Sequence, residues 1–128
     1  MTPDGETVWS LNENFGYIYS LALDHQGFIY LGDSYRTVRK VSPTGQVIWT
    51  YHGHRASVNA VAVDELGFVF SGDLDSIVKK INPDGTELKS NVFLDSRYYG
   101  IIRDIITDPR GFLYIACSSS FSLIKVAK

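Results

Sequence analysis

"DELGFVFSGDLDSIVKKINPDG", residues 64–85, decides the architecture, because the chain writes it more than once. Residues 24–45 read "DHQGFIYLGDSYRTVRKVSPTG", and residues 108–128 give a looser copy, "DPRGFLYIACSSSFSLIKVAK". Pro-x-Gly turns begin at Pro3, Pro43 and Pro83, a step of 40 residues each time. Asp24 and Asp64 open D-x-x-G-F turns at the same step, and the third, at Asp108, follows 44 residues later. The four extra residues therefore fall between Gly85 and Asp108. A fixed period of about 20–50 residues signals stacked small units, none of which buries its apolar face alone.

Each unit reads as four short strands. In the second they are "QVIWTY", "SVNAVAVD", "GFVFSGD" and "SIVKKIN". β-Branched and aromatic residues dominate, and no ten-residue stretch carries a helical period. "DELG" and "NPDG" supply turns: Asp caps with its side chain, Pro presets φ, and Gly closes with positive φ. Four antiparallel strands in about 40 residues is the plan of a β-propeller blade. The expected fold is therefore all-β: one domain, 1–128, a propeller of four-stranded blades with repeats near 1–42, 43–82 and 83–128. Small residues recur on one face of the second strand, in Ile18-Ser20-Ala22 and Val58-Ala60-Ala62, as crowding around an axis requires. Ile102-Asp104-Ile106 is the third version. A generic meander sheet is the competing architecture.

Residues 53–82, "GHRASVNAVAVDELGFVFSGDLDSIVKKIN", resemble a WD-type repeat, with the Gly-His pair, the "SG" pair and an Asp before the third strand. The resemblance implies a structural hydrogen-bond network of His54, Ser71 and Asp75. The closing Trp-Asp is replaced by Ile81-Asn82, and the first unit has Tyr35 at the place of Asp75. The "P-x-G-x-x-x-W" pieces ending at Trp9 and Trp49 resemble quinoprotein-type propeller repeats. No complete quinone site accompanies them, so that cofactor is not implied.

Net charge is −2, without the basic excess that phosphate recognition needs, so a nucleic-acid partner is not expected. No apolar run spans a bilayer, so no membrane role is expected. The opening "MTPDGETVW" is too polar for a signal peptide, which makes the cytoplasm the default expectation. A single cysteine, Cys117, allows no intrachain disulfide and reads as a small buried residue.

Closed propellers have about 4–8 blades, so three need company. Two copies give six and three copies give nine, so a homodimer is favoured over a trimer. Residues 6–11 align with the outer strand of a preceding blade, which predicts strand exchange with a neighbouring copy. Blades cut from a longer propeller, natural or engineered, are the alternative.

The connector into the third unit gathers Asp95, Arg97, Tyr98, Tyr99, Arg103 and Asp104. Tyr and Arg suit ligand recognition at low entropy cost, and a subunit seam uses the same residues. Asp33 and Asp73 repeat at one blade position and, doubled by symmetry, form a carboxylate ring of the kind Ca²⁺ takes. The third unit breaks that pattern with Cys117-Ser118. Otherwise no cofactor is expected. Asp24, Asp64 and Asp108 read as turn caps. No nucleophile elbow surrounds Ser118–Ser120.

Three functions remain open. One is a non-enzymatic scaffold that presents mouth loops to a protein or glycan. Another is a metal-dependent hydrolase or lactonase with carboxylates at the channel. The last is an excised or engineered fragment without independent activity.

Overall fold

A computed structural model describes residues 4–88, 94–95, 100–118 and 122–128. Three antiparallel sheets follow one another along the chain. The first runs β1 (Ile18–Leu23), β2 (Ile29–Asp33), β3 (Val38–Val41) and β4 (Val47–Tyr51), in that order across the sheet. The second repeats the plan with β5 (Val58–Val63), β6 (Val69–Asp73), β7 (Ile77–Ile81) and the short β8 (Leu94–Asp95). The third has β9 (Ile102–Thr107), β10 (Phe112–Cys117) and β11 (Ser122–Ala127), and no fourth strand among the described residues. The second and third units as written in the sequence thus carry, as their first strand, the outermost strand of the sheet before them.

The repeated turns close by one chemistry. Asp24 Oδ1 accepts the amides of Gln26 and Phe28, Asp64 those of Leu66 and Phe68, and Asp108 those of Arg110 and Phe112. The turn glycines Gly27, Gly67 and Gly111 take φ of 87°, 89° and 97°, which a side chain would oppose. Across each hairpin a lysine sits over the turn phenylalanine. Lys40, Lys80 and Lys125 lie 4.5, 4.7 and 4.3 Å from the rings of Phe28, Phe68 and Phe112.

The sheets pack in series, with β1 beside β5 and β5 beside β9. Between the first two sheets lie Tyr30, Val38, Tyr51, Val58, Val61, Val69 and Ile81. Between the second and third lie Ala60, Ala62, Phe70, Val78, Ile102, Ile105, Leu113, Ile115 and Cys117. The second sheet is therefore covered on both faces, and every residue of β6 is buried. Close approach depends on Gly32 and Gly72, where an added Cβ would collide with Val58 and Ile102.

The outer faces have no such cover. Leu21 and Leu23 on β1 are 66 % and 68 % exposed, whereas Val61, the counterpart of Leu21, is 3 % exposed. On the third sheet Ile106 and Leu123 are 58 % and 73 % exposed, whereas their counterparts Ala62 and Val78 are 5 % and 0 %. The series of sheets is open at both ends.

Two outcomes follow. Gly72→Ala overpacks the β6–β9 contact and lowers stability by about 1–3 kcal/mol, measurable by urea unfolding. Burial opposes the charge of Asp108, but hydrogen bonds from Phe112 N–H, Tyr114 O–H and Arg110 N–H outweigh it and hold the carboxyl below its ordinary value. A lowered folded-state pKa stabilises the fold fully above the ordinary value of about 3.9 and loses that stability as pH falls through the folded value. Melting curves of Asp108→Asn between about pH 5 and pH 2 will therefore start lower than the parent's and fall less steeply.

Candidate functional site

The best-connected polar cluster lies between the first and second sheets. His54, in the connector after β4, meets Asp73 Oδ2 through Nδ1 and Ser71 Oγ through Nε2, both at 2.7 Å. A carboxylate only accepts, so Nδ1–H donates to Asp73, and in the neutral imidazole Nε2 accepts a hydrogen bond from the Ser71 hydroxyl. Asp73 Oδ1 in turn accepts the amides of Asp75 and Ile77, which closes the β6–β7 turn. Tyr51 packs edge-on against the imidazole and donates to Glu87 Oε1 at 3.0 Å. Lys79 Nζ donates to Gly53 O at 2.6 Å.

Serine, histidine and aspartate bonded in this order have the connectivity of a hydrolytic triad. Ser71 has no exposed surface, and His54 and Asp73 are 5 % and 1 % exposed. No substrate reaches Oγ, so the cluster fastens the connector to the second sheet. The acid is Asp73, where the WD-type resemblance implied Asp75. Asp75 is exposed in the turn and gives the cluster only its amide, because Asp73 at the strand end is the carboxylate that the imidazole can reach.

The first sheet builds a simpler version. Asp33 accepts from the amides of Tyr35 and Thr37, the Thr37 hydroxyl and the Gly16 amide, which takes the role of His54. Asp33 and Asp73 are both buried, so the expected Ca²⁺ ring at a channel mouth is not presented. Desolvated carboxylates need partners on both oxygens; turn amides supply those of Oδ1, and Gly16 N–H or His54 Nδ1–H that of Oδ2. Among the described residues no group of three or more His, Cys, Asp or Glu is placed to hold a metal.

Asp24, Asp64 and Asp108 share a groove at the opposite sheet ends with His25 and Glu65. Their Oδ1 atoms are committed to the turns. Asp24 and Asp108 also accept the hydroxyls of Tyr30 and Tyr114 on Oδ2. These bonds and burial push the Tyr30 hydroxyl well above its ordinary pKa, burial contributing most. Arg97, Tyr98 and Tyr99 lie outside the described residues, and Asp95 contributes there only as part of β8. Arg103 and Asp104 stand exposed on β9. Asp104 Oδ1 accepts its neighbour's amide, Ile105 N–H, at 2.9 Å.

The open edges carry the feature that sequence reading missed. Trp49, on the outermost strand of the first sheet, donates from Nε1 to Pro83 O at 3.1 Å and lies on Gly85 in the turn of the second sheet. Trp9 does the same one unit earlier, donating to Pro43 O at 2.9 Å and lying on Gly45. Yet residues 6–11 pair with no strand. They stand, exposed, where the outermost strand of a sheet preceding the first would stand. Among the described residues the third sheet has no such strand. The shared 34-residue spacing from each Trp to its proline was the available signal.

No protein-family model and no curated protein matches the chain. Among solved structures 530 chains match, so the arrangement is widely used and by itself names no activity. One is the crystal structure of the computationally designed Ika4 protein. It superposes with a TM-score of 0.65 at 16 % identity, over 96 % of this chain and 98 % of that one. At that identity the likeness is one of fold: an all-β chain of three antiparallel sheets.

His54→Ala removes one partner of a buried carboxylate and a buried hydroxyl. Urea unfolding will show a loss of about 2–4 kcal/mol. A loss under about 0.5 kcal/mol would place the fastening elsewhere.

Proposed function

We propose that this chain is a three-blade β-propeller unit that works as a binding scaffold, closing its ring with a second copy of itself. Among the described residues the third sheet has no outermost strand, while Trp9 holds residues 6–11 in the position of one. That single observation carries the reading. In a two-copy ring these residues pair with β11 of the other chain, which covers a bare sheet edge. Two copies make six blades, inside the usual range of about 4–8. The bare apolar faces on β1 and on the third sheet are then covered as the internal ones are.

The ring's rigid mouths are the presenting surfaces. Arg97, Tyr98, Tyr99 and Arg103 supply the stacking and hydrogen bonding suited to a protein or glycan ligand. The buried state of Ser71, His54 and Asp73 favours this binding role over a hydrolase.

A second reading, an engineered or excised propeller piece, is favoured by the regular repeats and by the likeness to a designed protein. The two readings separate in solution. Light scattering of the scaffold will return twice 14.3 kDa, and Trp9→Ala or deletion of residues 1–11 will shift it toward the monomer or into aggregates. A protein that stays at 14.3 kDa at all concentrations, or a deletion that still assembles, defeats the exchange of strands.

A further inference from the structure

The seam between copies, which rests on the ring proposed above, is chemically unlike the two seams inside the chain. Across the first internal seam Ser20 Oγ accepts the main-chain N–H of Val61 on the innermost strand β5, at 3.1 Å. At the second, the place of Ser20 is held by Ala60, which accepts nothing. The matching amide, Ile105 N–H, is served by Asp104 Oδ1 of its own strand instead. At the third sheet's outer face the place of Ser20 and Ala60 is held by Asp104 itself. Its Oδ2 has no partner among the described residues. The amide it would meet is that of Leu21, which holds on β1 the place of Val61 and Ile105. A strand amide covered by a seam loses its water and needs an acceptor.

Side-chain size points the same way. On the third sheet's outer face Asp104, Ile106, Ala116 and Leu123 stand where the second sheet has Ala60, Ala62, Gly72 and Val78. Each is larger than its counterpart there and in the first sheet, where Ser20, Ala22, Gly32 and Val38 stand. At Gly32 and Gly72 there is no room for a Cβ against Val58 and Ile102. The methyl of Ala116 would strike Ile18 of a second copy if the seam repeated that spacing. The first sheet offers no matching reduction, since Leu21 is larger than Val61.

We infer that the seam between copies is wider than the internal ones and that Asp104 pins it. One carboxylate oxygen holds Ile105 N–H within the chain, and the other accepts Leu21 N–H of the second copy. The longer aspartate spans the gap that a serine would leave open. A pin of this kind joins third sheet to first and no other pair, which fixes a head-to-tail closure.

The test is dilution of wild type, Asp104→Ala, Asp104→Asn and Asp104→Glu, followed by sedimentation velocity, with circular dichroism to verify the strands. Asp104→Ala is expected to weaken association about tenfold per seam, hence about a hundredfold for a ring with two. Asp104→Asn, which turns an NH₂ toward one of the two amides, is expected to weaken it too. Asp104→Glu keeps both oxygens and will stay within about threefold of wild type. Association of Asp104→Ala or Asp104→Asn equal to wild type overturns the pin and leaves the ring standing. A wild type that never associates overturns both.

Discussion

The closeness of neighbouring sheets governs this molecule. Gly32 lies on Val58 and Gly72 on Ile102, so the second strand of one sheet touches the innermost strand of the next through the side chain of one residue, Val58 or Ile102, with none contributed from its own side. That contact sets the spacing at which Tyr30, Phe70, Val61 and Ile105 fill the layers between sheets. It also explains the small residues Ser20, Ala22, Ala60 and Ala62 on the innermost strands. A layered β-protein normally separates its sheets by about 10 Å of interdigitated side chains. Here the separation narrows toward one edge, and the narrow edge is where glycine is obligatory.

A second economy runs through the polar groups. The two buried carboxylates among the described residues, Asp33 and Asp73, each close a turn and do more. Asp73 joins a turn, a histidine and through it a serine, while Asp33 reaches an amide from the segment before β1. The same backbone geometry thus tolerates a histidine in one unit and a bare N–H in another. What is held constant is that both oxygens of the desolvated carboxylate accept a hydrogen bond, not the residue that provides it.

Much of the strand plan was legible because the repeat states it: the D-x-x-G-F turns and the Pro-x-Gly turns at Pro43 and Pro83 are local chemistry, and these found their expected hydrogen bonds, while Pro3 lies outside the described residues. The offset of β4 into the second unit was legible too, but residues 6–11, aligned with residues 46–51 as a further outer strand, pair with no strand. The partner of His54 was harder. Asp73 and Asp75 are two residues apart, and only the three-dimensional turn decides which faces inward. Asp33 and Asp73 read as a mouth ring because alternation alone does not show that β6 is covered on both faces. The Trp9 and Trp49 contacts are tertiary and 34 residues long, and nothing in strand periodicity marks them.

The two tryptophans have a practical corollary. Trp49 rests on a fully built sheet, whereas Trp9 rides on a segment with nothing on its far side, and the chain has no third indole. Intrinsic emission therefore divides into a steady component and one that responds when a strand lies down beside residues 6–11. For the proposed ring, Trp9 emission would serve as a built-in optical gauge of closure, readable without dye or tag.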